Sequence, residues 1–375
     1  MSDTAVPTTC RELRSTVTDA GEATLVIAAC EVPAPGPDEV VVRVEAAPIN
    51  PSDLGLLLAM GDVAAAEPID GGFRIPLTPG VLAANRARVG IPMPAGNEGG
   101  GTVVAAGSSP EAQALVGRIV GFVSGNSYAE YRTMPRQSYI PMPAGVTAEQ
   151  AAAPFVNPLT ALGMVVTMLM EGHTGLVHTV GASNLGLMLN RICVADGVPL
   201  VNLVRRPEHV ALLREEGAEH VVDTSADTFE GDLHTALAAT GATIAFDAIG
   251  GGEIASTLLA AMERVASDGA AFSRYGSDTK KQVYIYGSLD RSPTVLHRTF
   301  GLTWSVGGWL LMPFLVKLGA DGATRLRQRV ADEITTTFAS RYGMHLTLDE
   351  VVDPDAARRY GRMASGDKAL VLPHG

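Results

Sequence analysis

The stretch Val177-His-Thr-Val-Gly181-Ala-Ser-Asn-Leu-Gly186 decides the fold. An apolar, β-branched run enters a turn built on Gly181 and Gly186. A helical pattern then covers residues 187–195 and stops at Gly197, and a second strand spans residues 200–204. This is a βαβ unit opening on a glycine turn, the geometry that sets a pyrophosphate against the unpaired amides of a helix N-terminus. The pattern reads G-x-S-x-x-G, with Ser183 where a dinucleotide fingerprint carries its middle glycine. Strand, turn, helix, Gly197 and second strand fall at the spacing such a site needs, and that context carries the reading. Past its second strand an NAD site holds a carboxylate for the ribose 2′-hydroxyl. This chain holds Arg205 and Arg206 instead. Paired guanidinium groups there suit a 2′-phosphate, which points to NADPH. The alternative is a solvated pair opening a loop before Pro207.

A chain of 375 residues exceeds one compact core and suits two domains. Charged residues make up 18% and apolar ones 46%, an α/β composition without long disorder. The net charge of −12 argues against a nucleic-acid partner, whose phosphates would be repelled. Cys10, Cys30 and Cys193 form neither a disulfide framework nor a metal-ligand spacing, and a reducing cytoplasm is the expected compartment. Residues 1–20 carry Asp3, Arg11, Glu12 and Arg14 among polar neighbours and are not read as a signal peptide. Residues 151–170 and 299–316 are uncharged and raise the membrane question. Pro154, Asn157 and Pro158 interrupt the first, and Gly307, Gly308 and Pro313 the second. Both are expected to be core or dimer-interface elements rather than membrane spans.

Short β signals at residues 39–46, 101–105, 118–123 and 128–133, separated by glycines, predict a small curved β domain. Residues 148–153 and 160–170 are helical in composition. Strands and helices then alternate, with strands expected at 176–180, 200–204, 221–223, 242–248, 270–273 and 282–287. That alternation predicts a doubly wound parallel sheet. The tail from about residue 346 returns to short strands and is expected to rejoin the β domain. The resulting division is 1–155, 156–316 and 317–375, with residues 55–92 as an irregular insertion read as a lid.

Several blocks fall in a telling order: Ile49-Asn-Pro-Ser-Asp53, Gly96-Asn-Glu-Gly-Gly100, Ser127-Tyr-Ala-Glu-Tyr131 and Asn157-Pro-Leu-Thr-Ala161. The glycine turn, Asn202-Leu-Val-Arg205, Gly217-Ala-Glu-His-Val-Val and Tyr286-Gly-Ser complete the series. Together, over nearly the whole chain, they resemble the medium-chain dehydrogenase/reductases in their zinc-free quinone reductase and enoyl-thioester reductase branches. The resemblance implies a GroES-like catalytic domain, a central Rossmann domain and an active site in the cleft between them. It implies that Gly181, Ser183, Asn184 and Gly186 hold the pyrophosphate and that Arg205 and Arg206 take the 2′-phosphate. Asn50 and Thr160 would lie near the nicotinamide and its ribose, and Tyr286, Gly287, Ser288 and Trp309 would border the cofactor. A homodimer is the implied assembly.

The metal-dependent branch has Gly-His-Glu where this chain has Gly96-Asn97-Glu98, and a cysteine near Asn50. With no clustered Cys or His ligands, no metal site is expected, and Glu98 reads as a buried carboxylate paired with a neighbour. The enoyl-thioester branch also carries a tyrosine shortly after its Asn-Pro-x-Asp element, and residues 54–63 contain none. Tyr128 is the substitute candidate for the proton donor, against its reading as a packed aromatic. The implied activity is NADPH-dependent reduction of a small-molecule quinone or α,β-unsaturated carbonyl compound. A non-catalytic NADP(H) sensor is the alternative, and a zinc alcohol dehydrogenase ranks below it.

Overall fold

Alternating inward residues at the start of the chain form a hairpin, β1 (Thr9–Val17) against β2 (Glu22–Glu31), turning at Gly21 with φ +78°. This computed structural model describes residues 6–362 and 366–375, so residues 1–5, Asp3 included, lie outside the described part. There follow β3 (Val40–Pro48), α1 (Pro51–Leu57), β4 (Glu67–Ile69), β5 (Gly72–Pro76), α2 (Pro79–Ala84), β6 (Met93–Pro94) and β7 (Glu98–Ala106). Then come α3 (Pro110–Gln113), β8 (Ile119–Val123), β9 (Tyr131–Met134) and β10 (Tyr139–Pro141). One five-stranded sheet has the order β4-β5-β2-β1-β6.

Residues 55–92 depart from the lid expectation. β5 pairs with β2, setting Phe73 opposite Leu25, and Phe73 and Ile75 are fully buried. Arg88 clamps the segment from below, giving N–H groups to the Leu56 carbonyl and the Ser15 hydroxyl at 3.1 and 2.8 Å. The segment reads as irregular because its Gly, Ala and Pro residues mask a strand of only five residues. Its strand β5 joins the β core, while β4 and α2 stay at the surface.

The middle of the chain alternates α4 (Val156–Met170), β11 (Leu176–His178), α5 (Asn184–Asp196), β12 (Leu200–Val204), α6 (Pro207–Glu215), β13 (His220–Asp223), α7 (Phe229–Thr240) and β14 (Ile244–Asp247). It continues through β15 (Gly250–Gly252), α8 (Ile254–Ser267), β16 (Lys281–Ile285), β17 (Asp290–Thr294), β18 (Trp304–Gly308), α9 (Leu311–Leu318) and α10 (Ala320–Asp332). Six strands lie parallel in the order β13-β12-β11-β14-β16-β18. Burial on both faces explains the apolar runs: Val177, Val201, Ala245 and Val283 pack under Leu258, Leu259 and Phe300. No helix among the described residues is long and apolar enough to cross a membrane.

Two expected elements are absent. Residues 148–153 turn rather than coil into a helix, because their carbonyls press on β7: a Cβ at Gly100 would lie 2.2 Å from the Ala148 oxygen. Pro154 also disfavours helical backbone at the residue before it. Residues 270–273 form exposed loop, and the ladder position beside β14 goes to Lys281–Ile285. The uncharged stretch 299–316 contains β18, an edge strand, and the start of α9.

The chain then returns through β19 (Met344–Thr347), α11 (Leu348–Val351), α12 (Pro354–Tyr360) and β20 (Ala369–Leu372). β20 pairs with β3 and completes a sheet ordered β10-β8-β7-β3-β20-β19, with β9 also on β3. The chain divides into Met1–Val156 with Arg327–Gly375, and Asn157–Leu326. The second boundary thus falls at 326/327, where the sequence reading put it at 316/317. If residues 55–92 are core, Phe73→Ala lowers the stability of the β-rich unit by about 3–5 kcal/mol in urea denaturation. A mobile lid would tolerate it with little change.

Candidate functional site

In the parallel-sheet unit, β11 ends at His178 and the chain turns through Gly181 into α5. Ser183 is the helix N-cap, its Oγ accepting from the Gly186 N–H at 3.0 Å. The serine in the middle of the glycine pattern therefore has a structural use. A Cβ on Gly186 would lie 2.3 Å from the Gly181 oxygen, and one on Gly181 would lie 2.9 Å from Cβ of Asn202. At Gly186 the clash is with backbone, and at Gly181 with the Asn202 and Leu213 side chains. Asn184 opens the helix, and Gly197 ends it with φ +66°. Arg205 and Arg206 follow β12 directly and both are exposed. Arg206 has a loose contact with Glu208, at 3.8 Å on the surface.

Beyond β16 and β18, Tyr286, Gly287, Ser288 and Trp309 come together. With Ile285, Gly308, Leu310 and Pro313 they line a groove of about 390 Å³. Trp309 is anchored: its indole N–H donates to the Thr167 hydroxyl at 3.0 Å, and its ring packs edge-on against Phe246. It is both groove wall and core. Thr160 lies buried on α4, the helix that also carries Thr167.

Two groups here escape a reading by motif. His178 is fully buried, and its Nε2 lies 2.7 Å from the Tyr286 hydroxyl. Its Nδ1 has no hydrogen-bond partner. An orphaned lone pair is less costly than an orphaned N–H, so the proton belongs on Nε2, which donates to Tyr286. Burial pushes His178 down to about 3, so the ring stays neutral. A histidine inside an apolar strand was the available signal. Asp247 ends β14 with its carboxylate accepting from the Thr179 hydroxyl and from the Ile249 and Gly250 amides at 2.9–3.0 Å. It fixes the turn against which Gly287 packs, 2.6 Å from the Ala248 oxygen when measured from a built Cβ.

In the β-rich unit, Asn50 sits at the N-terminus of α1, 1% exposed. Its Nδ2 donates to Glu98 Oε1 at 2.9 Å, while Phe155 and Val156 amides donate to Oε2 at 2.8 and 2.9 Å. Glu98 is the buried, paired carboxylate expected from its sequence. The Asn50 Oδ1 has no partner. Asp53 accepts from the Asn50 and Asn97 amides at 2.8 and 2.9 Å. Burial pushes its carboxyl up to about 7, against those two donors and with the Glu98 charge. The Lys368 ammonium is buried over the Tyr342 ring, lowered by burial and raised by Glu98 and Asp53. Among the described residues no group of three or more His, Cys, Asp or Glu side chains converges as metal ligands.

Tyr128 corrects an expectation. It is fully buried and gives its hydroxyl proton to the Pro48 carbonyl at 3.0 Å, while burial raises it well above the usual tyrosine range. A hydroxyl so engaged is a core group and not a poised proton donor.

No family model matches the chain. A Mesorhizobium loti protein assigned as an NADPH:quinone reductase superposes with a TM-score of 0.71 at 27% identity, covering 98% of this chain and 100% of that one. The rat synaptic vesicle membrane protein VAT-1 homolog is 28% identical over 244 residues, 64% of this chain and 54% of its own. The Pseudomonas aeruginosa quinone oxidoreductase is 33% identical over 140 residues, 36% of this chain and 42% of its own. This chain thus spans about half the length of the VAT-1 homologs it matches. Its fold is that of the NADPH:quinone reductase structure it superposes on, and its curated relatives include a quinone oxidoreductase and a mitochondrial enoyl reductase.

The buried His178 sets a pH dependence. Below its ordinary value of 6.5 the unfolded chain binds a proton that the folded chain refuses. Its contribution to stability is therefore intact above pH 6.5 and is lost as pH falls toward 3. The expected slope is about 1.4 kcal/mol per pH unit from this group. Urea midpoints between pH 7 and 5 should fall less steeply in His178→Gln than in the parent chain.

Proposed function

We propose that this protein is an NADPH-dependent, zinc-independent reductase of a quinone or an α,β-unsaturated carbonyl compound. The observation that carries the reading is the close-packed Gly181–Gly186 turn, with two exposed arginines at the end of the neighbouring strand. In this reading a pyrophosphate lies against the amides at the start of α5. Arg205 and Arg206 supply charge-assisted donors for a 2′-phosphate. NADPH, when bound, supplies hydride. The Tyr286–Trp309 groove is apolar, aromatic and uncharged, which suits a flat ring with a few polar groups to orient it.

Zinc independence is supported by the donors around Glu98. Both of its oxygens are engaged by N–H groups, and Asn97 stands where a histidine ligand would be needed. With Tyr128 committed to Pro48, the proton that completes reduction comes from solvent or from another hydroxyl. Asn50 is fixed through its Nδ2, and its buried amide oxygen has no partner. A homodimer accompanies this reading: β18 is a sheet edge, and Leu302 and Leu310 beside it are 72% and 65% exposed.

Replacing Arg205 and Arg206 with Ala should weaken NADPH by about 1–3 kcal/mol per lost contact and leave NADH unchanged, read by titration calorimetry. Parent protein that binds the two nucleotides equally would refute the 2′-phosphate assignment. Steady NADPH oxidation with a benzoquinone or an enone is the expected turnover. Nucleotide binding without turnover on either class would favour a sensor. Leu302→Glu should shift sedimentation from dimer to monomer, and an unchanged dimer would remove β18 from the interface.

A further inference from the structure

The register of β1 and β2 sets Cys10 directly opposite Cys30, and their Sγ atoms lie 2.8 Å apart. Both are buried, beside Val32 and Val41. Directly opposed residues of an antiparallel pair hold their Cα atoms about 4.5–5.5 Å apart. A disulfide spans about 4.4–6.8 Å between Cα atoms. The two sulfurs can therefore be joined without moving the backbone.

The surroundings of the two thiols differ. Cys30 Sγ receives an N–H of Arg132 at 3.6 Å. Arg132 is itself held by the Glu12 carboxylate and the Asn126 carbonyl. Cys10 Sγ faces the Tyr131 carbonyl at 3.7 Å, an acceptor, and burial pushes this thiol up to about 12. Arg132 thus offers an N–H to the Cys30 sulfur, while the Cys10 sulfur faces a carbonyl. The pair also lies at the open end of the hairpin, one residue in from each strand terminus, where opening is easiest.

We propose that Cys10 and Cys30 form a dithiol that a small hydroperoxide oxidises, a modification site on the β-rich unit independent of the nucleotide reading. The Cys30 thiolate attacks one peroxide oxygen, the O–O bond breaks, and Cys30 becomes a sulfenic acid as hydroxide leaves. Cys10 gives its proton to that hydroxide, and its sulfur attacks Cys30 Sγ. The S–S bond forms and the sulfenic oxygen departs as hydroxide, which takes back from solvent the proton that Cys30 released on ionising and becomes the second water. Overall, two thiols and hydrogen peroxide become one disulfide and two waters, with two electrons passing from sulfur to oxygen. Cys193, a free buried cysteine on α5, lies outside this pair.

The test treats the reduced full-length chain with hydrogen peroxide and counts its thiols in denaturant, with peptide mapping by mass. The count falls from three to one, and the peptides carrying Cys10 and Cys30 run as one species that dithiothreitol separates. Cys193→Ser still loses two thiols. Cys10→Ser accumulates a sulfenic acid at Cys30 that dimedone captures, whereas Cys30→Ser labels weakly at Cys10. A count that stays at three overturns the proposal, as does a link through Cys193 or between two chains. Equal dimedone labelling in the two variants overturns the assignment of Cys30 as the attacking sulfur. If either variant fails to fold, peptide mapping of the unaltered chain decides.

Discussion

The close approach of backbone to backbone between Gly181 and Gly186 is the contact on which the parallel-sheet unit depends. A Cβ at either position would overlap a carbonyl or a neighbouring side chain by more than any rotamer could relieve. That contact draws the first turn of α5 against the end of β11, and the helix then lies where Asn190 can reach Asn202 on β12 at 3.0 Å. From it follow the placement of the helix amides, the path into β12 and the position of Arg205 and Arg206. Ser183 departs from the glycine pattern at no geometric cost, because its hydroxyl caps the helix that a glycine would leave uncapped.

The β-rich unit solves a different problem, which is to hold two carboxylates out of water. Asp53 and Glu98 are both buried, and each oxygen that faces the interior meets an N–H donor or the field of Lys368. The arrangement converts potentially costly charges into a rigid frame around Asn50, whose amide can then present only one face. The same logic appears at Asp247, where one carboxylate ties together Thr179 and the 248–250 turn at the carboxyl end of the sheet. In both units, buried acids fix the backbone around them.

Much of this was legible without coordinates. Period-two alternation in residues 40–48 and apolar runs at 176–178, 200–204 and 244–247 mark strands because a sheet face must be paired with a core. Gly197 marks a helix end because its left-handed backbone favours glycine. The failures share a cause. Residues 148–153 have helical composition, yet their place against Gly100 dictates a turn. Residues 55–92 look irregular, yet a short strand inside them is pinned by β2.

The sequence by itself determined the βαβ order, the glycine turn, the paired arginines and the return of the tail to the β domain, because these rest on local backbone preference and on periodicity. Only the tertiary structure decided that Cys10 faces Cys30, that His178 meets Tyr286 and that Tyr128 is spent on Pro48. Each of those pairings joins residues far apart in the chain. Their chemistry follows from strand register and burial, and neither is encoded in any short stretch of residues.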